Sequence, residues 1–120
     1  MSISRILEGE PVKLYGDGRN MRNWLFVLDN CRAIDLIIRA GECGIYNVSA
    51  DNQIANIDLV KKIMTVFGKP NGKIAFVEDR KGHDRKYAVN TDRLTALGWK
   101  PEAEFEKELE NTLKWYKNNR

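Results

Sequence analysis

Apolar side chains recur every three or four residues in two central segments, a spacing that predicts amphipathic helices with one buried face. Residues 30–40 form the first, with Asp29 at the N-cap position and an apolar face made by Ala33, Ile34, Ile37 and Ile38. Residues 57–67 form the second, which Gly68 closes, and its apolar face comprises Ile57, Val60, Ile63, Met64 and Phe67. Both helices are expected to pack on one core.

Shorter helical patterns lie nearer the two ends of the chain. Residues 3–7 predict a helical turn that Gly9 terminates. Thr91 can cap a short helix that stops at Gly98. Pro101 is expected to open the last helix, one side of which carries Phe105, Leu109, Leu113 and Tyr116.

Four short apolar runs are typical of β-strands, namely residues 12–15, 23–28, 45–49 and 73–77. After the first run, the sequence YGDG places two glycines around an aspartate, which favours a turn with positive φ. A polar loop is predicted at residues 50–53. Short strands that alternate with amphipathic helices, with no repeat or linker, predict a single small α/β domain of α+β-like character over residues 1–120.

Composition and charge restrict the class of protein. Twenty Lys and Arg against seventeen Asp and Glu give a net charge of +3, with both signs mixed along the chain. This balance permits an anionic ligand without requiring one. No apolar run approaches the ~20 residues that cross a bilayer, and the first residues lack the apolar stretch of a signal peptide, which predicts a cytoplasmic protein. Cys31 and Cys43 lack metal-ligand spacing and are expected to be small packing residues.

A charged segment at residues 79–88, DRKGHDRKYA, directly follows the predicted strand KIAFV and its glutamate. It is similar to the DRPGHDRRYA signature of dTDP-glucose 4,6-dehydratases, members of the extended short-chain dehydrogenase family. Three further segments resemble that family in the same order: YGDGRNMRNWLFV, GIYNVSADNQIAN and LGWKPEAEFEKELENTLKWY. The GHDR stretch favours these lyases over the UDP-sugar epimerases, which share the fold. Asn23 and Lys81 depart from the family pattern, which has Asp and Pro there.

The resemblance implies that this chain corresponds to the C-terminal, substrate-binding portion of such a dehydratase. It implies a nucleotide-sugar ligand such as dTDP-glucose, with Arg22 and Arg80 at the diphosphate and ribose, and Asn56 adding a neutral hydrogen bond. A diphosphate needs permanently charged donors, and the guanidinium group supplies a planar fork of them. The substrate-binding residues implied by the resemblance are Tyr15, Arg22, Asn56, Asp79, Arg80 and His83.

Each of these residues also has a simpler interpretation. Arg22 follows a glycine-rich turn and is by itself typical of a solvated side chain, and Asn56 is a natural N-cap for the helix that begins next to it. His83 changes charge near neutral pH, but no nucleophile or metal motif accompanies it, so a hydrogen-bonding or structural role is expected. Asp79 and Asp84 can serve as partners of neighbouring arginines, Arg80 and Arg85. The three tryptophans are expected to be packing anchors: Trp24, Trp99 and Trp115.

Motifs that the family chemistry requires are not found in this sequence. The reaction moves a hydride from the sugar to NAD and back, and the dinucleotide site needs a glycine-rich strand-to-helix turn followed by an acidic residue. None of the four tyrosines has a lysine four positions later, as the family's proton-transfer pair requires. We therefore expect that the chain contains no catalytic, cofactor or metal residues, that it lacks the Rossmann half, and that it is inactive alone as a truncated form.

Partners are predicted on the same grounds. A substrate-binding portion without its dinucleotide-binding half should expose apolar surface, which favours a homo-oligomer or a companion chain that carries that half. Two alternatives stay open: a scaffold or oligomerisation remnant that binds no ligand, and a small basic module that binds nucleic acid. The second rests only on the net charge of +3 and a pI near 8.9, since no nucleic-acid-binding motif is found.

Overall fold

A computed structural model describes residues 2–119 of the chain. Five helices and four short strands follow one another in a mixed α/β order, as the hydrophobic pattern predicts. The elements are α1 Ser2–Glu8, β1 Val12–Tyr15, β2 Met21–Asn23, α2 Val27–Ala40, β3 Gln53–Ala55, α3 Asn56–Val66, β4 Ile74–Val77, α4 Asp92–Ala96 and α5 Phe105–Asn118.

The strands form two separate two-stranded sheets. β1 pairs with β4 in parallel, so that Val12 lies opposite Ile74 and Tyr15 opposite Val77. β2 pairs with β3 in antiparallel register, with Met21 opposite Ala55. Along β1 buried and exposed residues alternate, because successive side chains of a strand point to opposite faces.

The main core lies where α1 and α3 pack on β1 and α5 packs on both helices. Its buried members are Ile6, Val12, Leu14, Leu59, Val60, Ile63, Met64 and Leu113. Leu113 has no exposed surface, so its truncation to alanine should cost about 2–5 kcal/mol. Val60, Ile63 and Met64 of α3 and Leu113 of α5 lie on the predicted apolar faces, which confirms the helical spacing there, whereas Leu59 is buried although it was not assigned to the α3 face.

A smaller cluster joins α2 to the segment around α4. Ala33 and Leu94 are fully buried, and Trp99 packs against them while its indole N–H donates to the Asp29 carbonyl at 3.2 Å. The predicted apolar face of α2 is wrong in part, because Ile34 and Ile38 are 48% and 78% exposed. Only half of that face therefore packs on this domain.

Two predicted strands are wrong. In place of the strand predicted at residues 23–28, the paired strand is β2, Met21–Asn23, and helix α2 begins at Val27. Between them, the Trp24 indole N–H donates to the Ile54 carbonyl at 3.3 Å. Residues 45–49 form no strand, although Tyr46 and Val48 pack on the smaller cluster. The predicted polar loop at 50–53 runs into β3. Apolar side chains alone do not make a strand, because the backbone must also find a partner.

Several helix ends and packing roles also differ from the predictions. Phe26 and not Asp29 is the N-cap of α2, and Asn56 is the first residue of α3, whose N-cap is Ala55. α5 begins at Phe105, four residues after the expected Pro101, and Trp115 is 58% exposed. Asp29 is instead buried and binds the chain segment before α5. Cys31 and Cys43 are both exposed free thiols and not packing residues.

Candidate functional site

The candidate site lies at the carboxyl ends of β1 and β4. Parallel pairing places these two ends side by side, and the Gly16 N–H donates to the Val77 carbonyl at 2.9 Å just beyond the paired strands. The YGDG turn that follows β1 therefore meets the charged segment that follows β4. Carboxyl ends of parallel strands are a common location for ligand sites in α/β proteins.

Gly16 permits the close approach of these two segments. Its φ is +56°, and a Cβ atom there would lie 2.8 Å from the Asp79 carboxylate. An L-residue with a side chain would be strained in this conformation and would displace Asp79. The glycine that predicted a turn thus also makes room for a site residue.

His83 lies at the centre of the cluster. Its Nδ1 is 2.6 Å from Asp79 Oδ1, and its Nε2 is 3.0 Å from Arg22 Nη2. Its ring meets that of Tyr15 edge-on, with centroids 6.2 Å apart. The structure thus brings three segments together on one imidazole that is largely shielded from solvent, with 15% of its side chain exposed.

Two arginine guanidinium groups lie over aromatic rings near this histidine. The Arg80 guanidinium carbon is 4.2 Å from the Tyr15 ring centroid, and that of Arg22 is 4.2 Å from the Tyr87 centroid. Such stacking holds a cation near a ring face without neutralising its charge. Arg22 is further anchored by the carbonyls of Met21 at 2.7 Å and Asp84 at 3.0 Å.

Charge pairing around the site differs from the prediction. Arg85 binds Asp17 through two hydrogen bonds of 2.8 Å, and these bonds, with a backbone N–H from Arg19, lower the pKa of Asp17 to about 2. Asp79 binds His83, and this hydrogen bond lowers the Asp79 pKa below its usual range. Within residues 2–119, the alternative side-chain pairings of Asp79 with Arg80 and of Asp84 with Arg85 are therefore wrong: Arg80 gives the Asp79 carboxylate only its backbone N–H, at 2.9 Å, and Arg85 binds Asp17.

Asn56 is joined to the cluster only through the backbone. Its N–H donates to the Asn20 carbonyl at 3.1 Å, and the Asn20 side chain donates to the Asp84 carbonyl at 3.2 Å. The same Asp84 carbonyl accepts from Arg22. Five of the six predicted residues therefore form one network of contacts. The sixth, Asn56, is linked to this network through Asn20.

Sequence reasoning missed three contributors, Asp17, Asn20 and Arg85. Asn20 is 1% exposed, and its Oδ1 has no hydrogen-bond partner among residues 2–119. Asp17 and Arg85 both stand inside the quoted motifs, YGDG and GHDR, and that shared placement was the available signal. Asp17 and Arg85 are 68 positions apart in the sequence, so their pairing could be inferred only from the parallel pairing of β1 with β4.

The larger of two described cavities lies away from this cluster. It measures about 610 Å³ and its lining includes Trp24, Phe26, Leu59 and Phe105, with none of the six predicted residues. Within residues 2–119, no group of three or more His, Cys, Asp or Glu side chains is placed to hold a metal ion. No helix in that range is long and apolar enough to cross a membrane.

The two parallel strands among residues 2–119 do not have the form that holds a dinucleotide. Its pyrophosphate is held where a parallel strand passes through a glycine-rich turn into a helix. Here the glycine-rich turn after β1 leads to another strand, β2, and β4 leads into the charged segment, so neither parallel strand of the described chain has that form.

The fold matches solved structures of enzymes that modify nucleotide sugars. A dTDP-glucose 4,6-dehydratase from Bacillus anthracis, determined with NAD, is 40% identical with a TM-score of 0.90, and the match covers 98% of this chain and 38% of that one. DesIV, the dTDP-glucose 4,6-dehydratase of Streptomyces venezuelae, is 33% identical with a TM-score of 0.94 over 99% of this chain and 38% of that one.

This protein belongs to the GDP-mannose 4,6 dehydratase family, whose model matches residues 1–112. The Haloferax volcanii low-salt glycan biosynthesis protein Agl12 is 42% identical over 95% of this chain, and a dTDP-glucose 4,6-dehydratase from Actinoplanes sp. is 38% identical over 98%. The chain spans 37% and 38% of the length of these two relatives. The predicted resemblance to this group of dehydratases is confirmed.

Proposed function

We propose that this chain is the C-terminal, nucleotide-sugar-binding portion of a dehydratase of the dTDP-glucose 4,6-dehydratase type, acting in deoxysugar metabolism. The observation that carries the proposal is the cluster of Tyr15, Arg22, Asp79, Arg80 and His83 where β1 and β4 end. The names of the relatives supply the ligand class, dTDP-glucose or a similar nucleotide sugar.

The charge of the cluster suits a diphosphate. Within residues 2–119, the guanidinium groups of Arg22 and Arg80 have no carboxylate partner, whereas the neighbouring Arg85 is neutralised by Asp17. Arg22 uses three of its five N–H donors on His83 and two carbonyls, which leaves two for a ligand. Two arginines without carboxylate partners, both in the cluster around Tyr15 and His83, suit a group with two negative charges.

We propose further that the chain alone does not dehydrate dTDP-glucose. The family's hydride transfer needs NAD, whose site would lie in the part of the longer relatives that this chain does not cover. Proton transfer needs a Tyr-x-x-x-Lys pair, which is not found in this sequence. A purified sample that converts dTDP-glucose to its 4-keto-6-deoxy product, with or without added NAD, would overturn this part.

The outer face of α2 is proposed as the surface that a companion chain or a second copy covers. This outer face comprises Val27, Ile34 and Ile38, which are 62%, 48% and 78% exposed. Contiguous exposed apolar side chains usually mark a contact surface. The relatives are more than twice as long as this chain, so their remaining length contains enough protein to cover it.

Calorimetric titration with dTDP-glucose tests the ligand proposal. We expect saturable binding that Arg80→Ala weakens by about tenfold or more, the loss of one charged hydrogen bond. Arg39→Ala is the matched control, because Arg39 is exposed on α2 and pairs with Asp35 at 2.9 Å, outside the cluster. No heat signal at millimolar ligand, or equal losses in both variants, would contradict the proposal.

A scaffold remnant is the second candidate, favoured by the exposed outer face of α2. It predicts self-association with no effect of dTDP-glucose on stability. Nucleic acid is not a proposed partner. A gel shift with DNA or RNA that disappears steeply with added salt would revive that alternative, since phosphate contacts release counterions.

A further inference from the structure

The two ring nitrogens of His83 have chemically different partners. Arg22 Nη2, at 3.0 Å from Nε2, belongs to a guanidinium group that has only N–H donors. Nε2 must therefore accept this hydrogen bond through its lone pair. Nδ1 then carries the proton and donates to Asp79 Oδ1 at 2.6 Å. The contacts thus define a neutral imidazole with its proton on Nδ1.

We propose that neutral His83 is a positioning residue that holds the Arg22 guanidinium in the site, and that a proton on Nε2 releases it. The inference rests on the proposed nucleotide-sugar site and adds a pH-dependent control to it. When the imidazole takes a proton from solvent at Nε2, its acceptor lone pair is lost. The hydrogen bond from Arg22 breaks, and two cations then face each other.

The groups around His83 set the size of this effect. Asp79 faces Nδ1 and retains its hydrogen bond in either state, while the Tyr15 ring edge carries no charge near neutral pH. The Arg80 guanidinium lies over the Tyr15 ring, and the Asp17 and Arg85 charges are paired with each other. Arg22 itself keeps its bonds to the Met21 and Asp84 carbonyls. Protonation therefore removes one of the three hydrogen bonds of Arg22, while its contact with the Tyr87 ring remains.

The arrangement can be measured without a ligand. His83 is the single histidine of the chain, so its ring nitrogens give an unambiguous ¹⁵N spectrum. We expect the neutral ring to carry its proton on Nδ1, and the Arg22 side-chain signal, assigned by its loss in Arg22→Gln, to shift with the same pH midpoint as His83. A neutral ring protonated on Nε2, or an Arg22 signal that does not follow the histidine, would overturn the inference.

Binding measurements then test its consequence. The diphosphate of dTDP-glucose keeps its charge between about pH 5.5 and 8, so changes in affinity over this range belong to the protein. We expect the affinity of the wild-type chain to fall about three- to tenfold as the pH is lowered and His83 takes up its proton, because one hydrogen bond to Arg22 is lost. His83→Gln offers an uncharged amide acceptor to Arg22 and should bind without that pH dependence.

His83→Ala separates positioning from simple packing. It removes the acceptor at every pH, so its affinity should be low and independent of pH, whereas His83→Gln recovers affinity. The same pH dependence in His83→Gln would overturn the inference. If no variant binds dTDP-glucose, the proposed function fails, and the ligand-free spectra still decide whether His83 holds Arg22.

Discussion

Replacing Asp29 with asparagine tests how one buried carboxylate joins α2 to the segment before α5. Asp29 is 1% exposed, and its two oxygens accept the backbone N–H groups of Glu102 at 3.1 Å and Ala103 at 3.0 Å. Arg32 binds the same carboxylate from one turn along the helix. An asparagine has the same shape but only one acceptor oxygen.

The expected loss follows from that missing oxygen. One of the two backbone N–H groups would face an amide N–H₂, and the other would lose a charged acceptor. A hydrogen bond to a charged group contributes about 1.5–3 kcal/mol, and an orphaned buried donor costs about 1–3 kcal/mol. Because the substituted amide would retain one bond, we expect Asp29→Asn to lower the free energy of unfolding by about 2–4 kcal/mol, or Tm by about 8–16 °C.

The pH dependence has a defined sign. Burial raises the pKa of Asp29, but the N–H groups of Glu102 and Ala103 and the Arg32 guanidinium outweigh it, so that the net pKa is lowered. Its contribution to stability is therefore complete above the ordinary carboxyl pKa and is lost as the pH falls through the lower folded value. Asp29→Asn should lose this part of the acid dependence.

Urea unfolding followed by tryptophan fluorescence measures the change. Asp35→Asn is the matched control, because Asp35 lies on the same helix, is 60% exposed and pairs with Arg39 one turn away. Exposed pairs of this kind contribute less than about 1 kcal/mol. A loss in Asp29→Asn no greater than in Asp35→Asn would refute the reasoning.

Two further predictions concern surface features. Arg85→Gln should raise the pKa of Asp17 from about 2 toward its ordinary 3.8, because the hydrogen bonds from the Arg85 guanidinium are the main cause of the low value. A carboxyl NMR titration measures this pKa, and an unchanged value would contradict the pairing. In the parent, the Asp17 contribution to stability should be lost only as the pH falls from about 4 to about 2. Ile38→Glu, on the outer face of α2, should abolish concentration-dependent association in sedimentation while leaving Tm unchanged, since Ile38 is 78% exposed. Association equal to that of the parent would show that this face is not the contact.

The elements with their own internal hydrogen bonds were the most predictable from sequence. In α3, the predicted spacing placed Val60, Ile63 and Met64 on the buried face, and Gly68 has the positive φ expected after its end. Such patterns work because a helix satisfies its own backbone and only one face needs a partner. The turn at Gly16 was predictable for a similar local reason.

The strands and the charges of the site were less predictable. Residues 45–49 have strand-like composition but no ladder, and Gln53–Ala55 is a strand because β2 lies beside it. The resemblance placed Arg22 and His83 in one site, yet their contact at 3.0 Å spans 61 positions and depends on where β1 and β4 end. The sequence around Arg22 or around His83 does not indicate that the two side chains lie this close together.

The sequence by itself determined the family, the helical faces and the turn residues, because motif order, apolar spacing and glycine conformation are local properties of the chain. Only the tertiary structure decided that Asp17 pairs with Arg85, that Asp29 is a buried anchor and not a helix cap, and that half of the α2 apolar face is left uncovered. The reason is physical: hydrogen bonds, ion pairs and burial depend on which distant segments the fold places side by side.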